Sequence, residues 1–268
     1  MSDPSVISTT TLQGMKQRGE KIACVTSYDA SFTRLLEAAG VDLLLVGDSL
    51  GMVIQGRDST LPVTVEDMIY HGACVARSGA RALRIVDMPF MSYSGMDRAL
   101  VNAARLMSEG GAQMVKLEGG AVVLDIVQAL TLRGIPVCAH LGLTPQSVHQ
   151  LGGYRVQGRD SDSAIRLMED AERLEQAGAS LLVLECIPAD LARRITEKLR
   201  IPTIGIGAGP DCDGQVLVLY DLLGITSDER PRFVQNFLRD AEGIPAALRA
   251  YVEAVRTGRF PAPEHTYS

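Results

Sequence analysis

The sequence is poor in the residues that usually announce a zinc cluster or a disulfide framework. It has four histidines, His71, His140, His149 and His265, and no two of them stand at metal-ligand spacing. Its five cysteines, Cys24, Cys74, Cys138, Cys186 and Cys212, are odd in number, widely spaced and free of any C-x-x-C. That pattern suits reduced thiols, several of them core fillers. There is no basic run, and 26 lysines and arginines against 32 acidic residues give a formal net charge of −6, which argues against a nucleic-acid surface. No apolar run approaches the roughly 18 residues of a membrane span, and the amino-terminal MSDPSVISTTTLQGMKQRGEK lacks the apolar core of a signal peptide. A cytoplasmic protein without membrane contact is expected. Neither G-x-x-x-x-G-K-[ST] nor H-E-x-x-H occurs, which removes two common enzyme classes.

What the sequence does have is regular alternation. With 268 residues, 46% of them hydrophobic, the chain can bury a large core, and one domain spanning 1–268 is expected. Eight short apolar runs read as strands: IACVTS, DLLLVG, ALRIVD, QMVKLE, IPVCAH, SLLVLE, IPTIGI and QVLVLY. They are too short and too uniformly apolar for amphipathic helices, and they suit parallel strands covered on both faces. Between them lie helical patterns over 31–39, 65–78, 96–109, 121–133, 163–176 and 189–199, several closing on glycine. Two more, over 232–239 and 244–257, read as C-terminal helices. Strand then helix, repeated, implies a parallel α/β sheet, and eight strands in a chain of this size close most simply into a (β/α)8 TIM barrel. An open doubly wound sheet is the alternative.

One event recurs at the ends of four strand runs. LLLVGDS reaches Asp48, LRIVDMP reaches Asp87, MVKLEGG reaches Glu118 and LLVLECIP reaches Glu185. In a barrel these ends converge on one mouth, where barrel enzymes build their sites. Acids crowded there repel one another unless something positive sits among them. Carboxylates without a Cys/His cluster suit a hard ion such as Mg2+ better than zinc.

Lys116 lies two residues before Glu118 and shares its face of the strand. It can hold an anionic substrate, form a Schiff base, or serve as a structural partner for one acid. His140 ends the fifth strand and either faces the site or packs. GIGAGPDCDG lacks the G-x-G-x-x-G spacing, so a tight turn between the last two strands is expected, not a dinucleotide site. The long segment GLTPQSVHQLGGYRVQGRD is a lid, a subunit contact or a solvated connection.

Taken in order, VGDSLGMVIQGRDSTLPVTVEDM, VDMPFMSY, VKLEGG, HLGLTPQSV, GGYRVQGR, LLVLECIP and IGIGAGPDCDGQVLV resemble the ketopantoate (3-methyl-2-oxobutanoate) hydroxymethyltransferase family from about Thr10 to nearly the C-terminus. The resemblance implies a barrel of the phosphoenolpyruvate/pyruvate type and a homodecamer of two stacked pentamers. It also implies a Mg2+-dependent reaction of 3-methyl-2-oxobutanoate, 5,10-methylenetetrahydrofolate and water to give 2-dehydropantoate and tetrahydrofolate. This is the first committed step of pantothenate synthesis, which leads to coenzyme A.

Carried onto this sequence, the resemblance makes Asp48 and Asp87 direct Mg2+ ligands and brings Glu118 to the metal directly or through water. Asp48, Ser49, Asp87 and Lys116 bind the 2-oxo acid, and Glu185 is the catalytic base. SDSAIRLMED and SDERPRFV depart from the family's wording and bear on subunit contacts or folate-side loops. Two other functions fit the same features: a carbon–carbon lyase or mutase of this barrel group, separated by its indifference to folate, and a catalytically silent scaffold.

Overall fold

The computed structural model describes residues 6–226 and 230–268; part of the segment SDERPRFV therefore lies outside the described residues. The first half of the chain runs α1 (Thr9–Arg18), β1 (Ile22–Thr26), α2 (Ala30–Ala39), β2 (Leu43–Val46), α3 (Leu50–Val53), α4 (Val65–Ala76), β3 (Leu83–Asp87), α5 (Met96–Ser108) and β4 (Met114–Glu118). The second half runs α6 (Leu124–Thr131), β5 (Val137–Gly142), α7 (Val148–Leu151), α8 (Ser161–Gln176), β6 (Leu181–Glu185), α9 (Ala189–Lys198), β7 (Thr203–Ile206), β8 (Gly214–Leu217), α10 (Leu219–Leu223) and α11 (Ile244–Arg256). All eight strands pair in chain order as a closed parallel barrel, so the open sheet is ruled out.

The strands read as unbroken apolar runs because nearly every position on both of their faces is buried. Leu43 to Val46 and Met114 to Glu118 are buried at every position. Fully burying one such leucine or valine side chain is worth about 1.5–3 kcal/mol. Helix boundaries follow from local capping. Asp29 accepts hydrogen bonds from the N–H groups of Ser31 (2.7 Å) and Phe32 (2.9 Å) at the start of α2. Thr64 and Asp67 form a reciprocal capping box on α4. Burial also keeps the barrel's cysteines inert, pushing the Cys138 thiol up to about 12 and that of Cys212 up to about 11.

The alternation breaks between β7 and β8. The connection across 207–213 holds no helix, as the expected turn required, and Thr203 N–H donates to Asp213 (2.8 Å) across it. The barrel seam lies between β8 and β1, where Ile22 is in register with Gly214. Behind it packs α11, whose Tyr251 hydroxyl reaches the carbonyls of both Cys24 on β1 (2.8 Å) and Gln215 on β8 (2.9 Å). Tyr251 stacks edge-on with Phe237 and Phe260 at 5.5 and 5.9 Å between centroids.

The helix expected over 232–239 does not form. Asn236 folds its side chain back to accept from Leu238 N–H (2.9 Å) and Arg239 N–H (3.2 Å), a local alternative to a helical ladder. Phe233 and Phe237 are buried there as anchors of a turn. In contrast, α1 forms although its sequence is mostly polar, because Ser8 caps it and Leu12 and Met15 are buried against the barrel.

Candidate active site

The mouth formed by the C-terminal strand ends holds most of the chain's buried charge. Asp48 follows β2, Asp87 ends β3, Lys116 and Glu118 lie on β4, His140 lies on β5 and Glu185 ends β6. Strand register sets their spacing: Asp87 is opposite Lys116, Glu118 opposite His140, and Glu185 opposite Gly142. Asp48, Asp87, Lys116, Glu118 and His140 are all buried. Glu185 is the most open of the four acids, with its side chain 15% exposed.

Two cations sit among these acids. Lys116 Nζ lies 2.9 Å from Asp87 Oδ1 and 3.9 Å from Glu118 Oε1. Burial disfavours its charge, but Asp87, Glu118 and Asp48 more than offset this and raise its pKa above the ordinary lysine value. An amine held as ammonium is a poor carbonyl nucleophile, which argues against the Schiff-base route.

His140 faces the site and is no mere packing residue. Its Nδ1 stands 3.5 Å from Glu118 Oε1 and its Nε2 3.3 Å from Glu185 Oε2, ion-pair distances longer than good hydrogen bonds. Burial and the Lys116 charge oppose protonation, yet the two carboxylates overcome them and push the imidazole up to about 9. Despite its burial, Glu118 is held below the usual carboxylate range by His140, Lys116 and the Gln146 N–H.

Asp48 goes the other way. Burial, and then the charges of Asp87 and Glu118, drive it well above the usual carboxylate range. Its backbone N–H donates to Asp87 Oδ2 (3.1 Å), which draws the two acids together. Asp87 Oδ1 is buried without a well-formed hydrogen bond. Three buried carboxylates, Asp48, Asp87 and Glu118, thus crowd one point of the barrel; Lys116 and His140 lie against Asp87 and Glu118, and Asp48 is the one driven toward its neutral form.

Among the described residues no three Asp, Glu, His or Cys side chains converge as a ready-made metal cluster. Glu118 is spoken for by Lys116, His140 and Gln146. The donor set still fits a hard divalent cation held by Asp48 and Asp87, because the donors are buried carboxylate oxygens drawn together and Asp48 is driven toward its neutral form by burial and by two neighbouring acids that a cation would offset. Ser49 stands beside these acids with its Oγ 2.8 Å from the Tyr28 hydroxyl.

Three residues that sequence reasoning passed over also belong to the site. Gln146, buried on the turn after β5, donates through Nε2 to Asp48 Oδ2 (2.8 Å) and to the Met88 carbonyl (3.0 Å). Tyr93 donates to Gln146 Oε1 (2.6 Å), and Tyr28 pairs with Ser49. All three are uncharged and lie outside strands, where neither charge nor period marks them. The long segment after β5 is therefore not simply solvated, since its first turn carries a wall of the site. Further along it, Gln157 N–H donates to the Cys186 carbonyl (2.9 Å).

The backbone next to Glu185 is unusual. Cys186 adopts φ 47°, a left-handed conformation that costs a non-glycine residue about 1–3 kcal/mol. It is held by Cys186 N–H donating to the Ile206 carbonyl (2.9 Å) together with the Gln157 contact. Opposite, Gly142 at φ 95° lets the β5 backbone pass close over the Glu185 carbonyl, where Leu143 N–H donates at 2.8 Å. Such strain is found where a side chain must be aimed.

The sequence model of the family described as ketopantoate hydroxymethyltransferase matches residues 6–263. A 3-methyl-2-oxobutanoate hydroxymethyltransferase of Nitrosococcus oceani is 60% identical over 261 residues, which cover 97% of this chain and 99% of that protein. Among solved structures, 2,3-dimethylmalate lyase, a member of the PEP mutase/isocitrate lyase superfamily, superposes with a TM-score of 0.58 at 20% identity, covering 83% of this chain and 84% of that one. Phosphonopyruvate hydrolase in complex with oxalate and Mg2+ gives 0.60 at 11% identity, covering 78% and 80%. At these identities the structures establish a shared barrel and nothing finer.

Proposed function

The chain belongs to the ketopantoate hydroxymethyltransferase family, and on that premise we propose that it joins 3-methyl-2-oxobutanoate, 5,10-methylenetetrahydrofolate and water into 2-dehydropantoate and tetrahydrofolate by way of the substrate's enolate. The observation that carries this reading is the convergence of buried Asp48, Asp87 and Glu118 with Lys116 at the C-terminal mouth of the barrel. Mg2+ held by Asp48 and Asp87 would supply a Lewis acid for the keto oxygen as negative charge develops there. Mg2+ bound with oxalate by a barrel of the same fold is in keeping with this.

The chain's own residues do the rest. Lys116, kept as an ammonium, balances the substrate carboxylate beside Asp87. Ser49, steadied by Tyr28, offers a hydroxyl to the same substrate end. Glu185, on a different strand from the metal-binding pair, takes the C3 proton as general base. His140 engages Glu185 Oε2 and keeps that carboxylate oriented. Water opens the donor's methylene bridge, both C–N bonds breaking and both nitrogens taking protons, to give tetrahydrofolate and a formaldehyde equivalent; the enolate carbon adds to that carbon, and the alkoxide takes back the proton held by Glu185 to become the hydroxymethyl group.

C3 hydrogen exchange of 3-methyl-2-oxobutanoate in D2O, followed by proton NMR, tests the reading. Exchange is expected in wild type only with Mg2+, and is lost in Glu185→Gln and Asp48→Asn. Wild type that fails to exchange with Mg2+, both without and with tetrahydrofolate, would overturn it. Turnover indifferent to folate would instead favour a lyase of the same fold.

The homodecamer is in keeping with exposed apolar side chains such as Val122 (87% exposed) and Leu132 (77%). A sedimentation coefficient for a 28.8 kDa monomer would contradict it. The same reading places the enzyme in the cytoplasm; among the described residues no helix is long and apolar enough to cross a membrane. Fractionation that leaves it with membranes would oppose that.

A further inference from the structure

Acid, base and charge chemistry at the mouth leaves one buried side chain without a task. Gln146 makes four polar contacts there. Its backbone N–H donates to Glu118 Oε2 (3.0 Å), its Nε2 donates to Asp48 Oδ2 (2.8 Å) and to the Met88 carbonyl (3.0 Å), and its Oε1 accepts from the Tyr93 hydroxyl (2.6 Å). Both amide hydrogens and the carbonyl are used. The amide cannot be flipped, because the Met88 carbonyl can only accept and so requires Nε2 beside it. The Tyr93 hydroxyl, itself facing the Glu118 N–H at 3.3 Å, then fixes the other end.

We propose that Gln146 is a positioning residue that sets the orientation of the Asp48 carboxylate for a divalent cation and holds Glu118 against Lys116 and His140, an inference that rests on the reading of Asp48 and Asp87 as its ligands. The hydrogen bond from the amide to Oδ2 fixes the plane of the Asp48 carboxylate that would hold the ion. With Oε2 capped by the Gln146 backbone, Glu118 turns Oε1 toward Lys116 and His140. One residue on a connecting turn therefore locks two acids from two other strand ends. Glutamine suits the position: a glutamate would add another negative charge beside Asp48, and an apolar residue would strip the Met88 carbonyl and the Tyr93 hydroxyl of their partners.

Partners that hold metal-binding carboxylates in place typically contribute about 10- to 100-fold in metal affinity. The test is Mn2+ binding by electron paramagnetic resonance of the free ion, without substrate, in wild type, Gln146→Met and Tyr93→Phe. Gln146→Met is expected to weaken Mn2+ binding by about 10- to 100-fold. Tyr93→Phe shifts it the same way by a smaller factor, and saturating Mg2+ restores C3 exchange in both. A residue that merely held the fold would lower the folded fraction and leave the affinity of the folded protein unchanged.

Folded Gln146→Met that binds Mn2+ as tightly as wild type overturns the proposal. If Gln146→Met does not fold, Tyr93→Phe decides, since it deletes only the hydroxyl that holds the amide; unchanged affinity there overturns the proposal equally. Wild type that binds no Mn2+ removes the metal reading itself, so the two failures are distinguishable.

Discussion

Gly142 and Glu185 stand opposite each other on β5 and β6, so close that a methyl group on Gly142 would collide with the Glu185 carbonyl and come within 2.8 Å of Ile187 Cγ2. The glycine also holds φ 95°, which an L-side chain rarely adopts. Gly142→Ala must move the backbone that carries the proposed base. We expect a loss of C3 exchange of at least tenfold with Mn2+ binding close to wild type, because Asp48 and Asp87 lie on other strands. Exchange at the wild-type rate in a folded variant would show that β6 tolerates the shift.

The crowding of Asp48 by burial, Asp87 and Glu118, which disfavours its ionised form, predicts that the metal-free protein is less stable than the loaded one. A cation that binds only the folded state adds about 2.7 kcal/mol at a concentration a hundredfold above its dissociation constant. Melting should therefore rise with Mg2+ and fall on chelation. Asp48→Asn should melt above metal-free wild type and ignore Mg2+, because it removes the carboxylate that burial, Asp87 and Glu118 disfavour. Parallel Mg2+ responses in the two proteins would contradict this.

Tyr251 ties the two seam strands through one hydroxyl. Removing it in Tyr251→Phe leaves buried carbonyl oxygens short of a donor, at a cost of about 1–3 kcal/mol. Urea unfolding is expected to show that loss with the slope unchanged, and a variant of wild-type midpoint would count against the clamp.

His265 gives the pH dependence. Burial against Phe260 holds its imidazole below the ordinary histidine value, with Glu264 opposing, and Nδ1 accepts from Ala262 N–H (3.2 Å), a role open only to the neutral ring. A lowered histidine pKa means that its stabilising contribution is complete above the unfolded value of about 6.5 and is lost as pH falls through the lower folded value. Protection of residues 261–268 in hydrogen exchange should therefore fall below about pH 6.5, once corrected for intrinsic rates. His265→Asn should flatten that response, and an equal fall in both proteins would exclude His265 as its source.

The strands and four of the acids were legible in the sequence for one reason: a parallel strand buried on both faces reads as an unbroken apolar run, so the first charge after it is conspicuous. Asp48, Asp87, Glu118 and Glu185 are marked in this way. Gln146, Tyr93 and Tyr28 are not, because uncharged residues in connections follow no period, and their importance appears only when strands distant in sequence bring Asp48, Met88 and Glu118 together. Helical pattern misled at 232–239 because it carries no information about Asn236 competing for the backbone, and α1 was passed over because a polar helix with two buried side chains shows little amphipathic contrast.

The seam that pairs Ile22 with Gly214 also fixes a timetable. β1 emerges from the ribosome early and can pair with β2 on one side, but its other edge waits until β8 has been made. For most of synthesis the chain therefore carries an open strand edge, apolar but for Thr26, of the kind that recruits other chains. Refolding yield should accordingly fall as protein concentration rises, and Tyr251, which arrives after both strands, acts as the latch that ends the exposure.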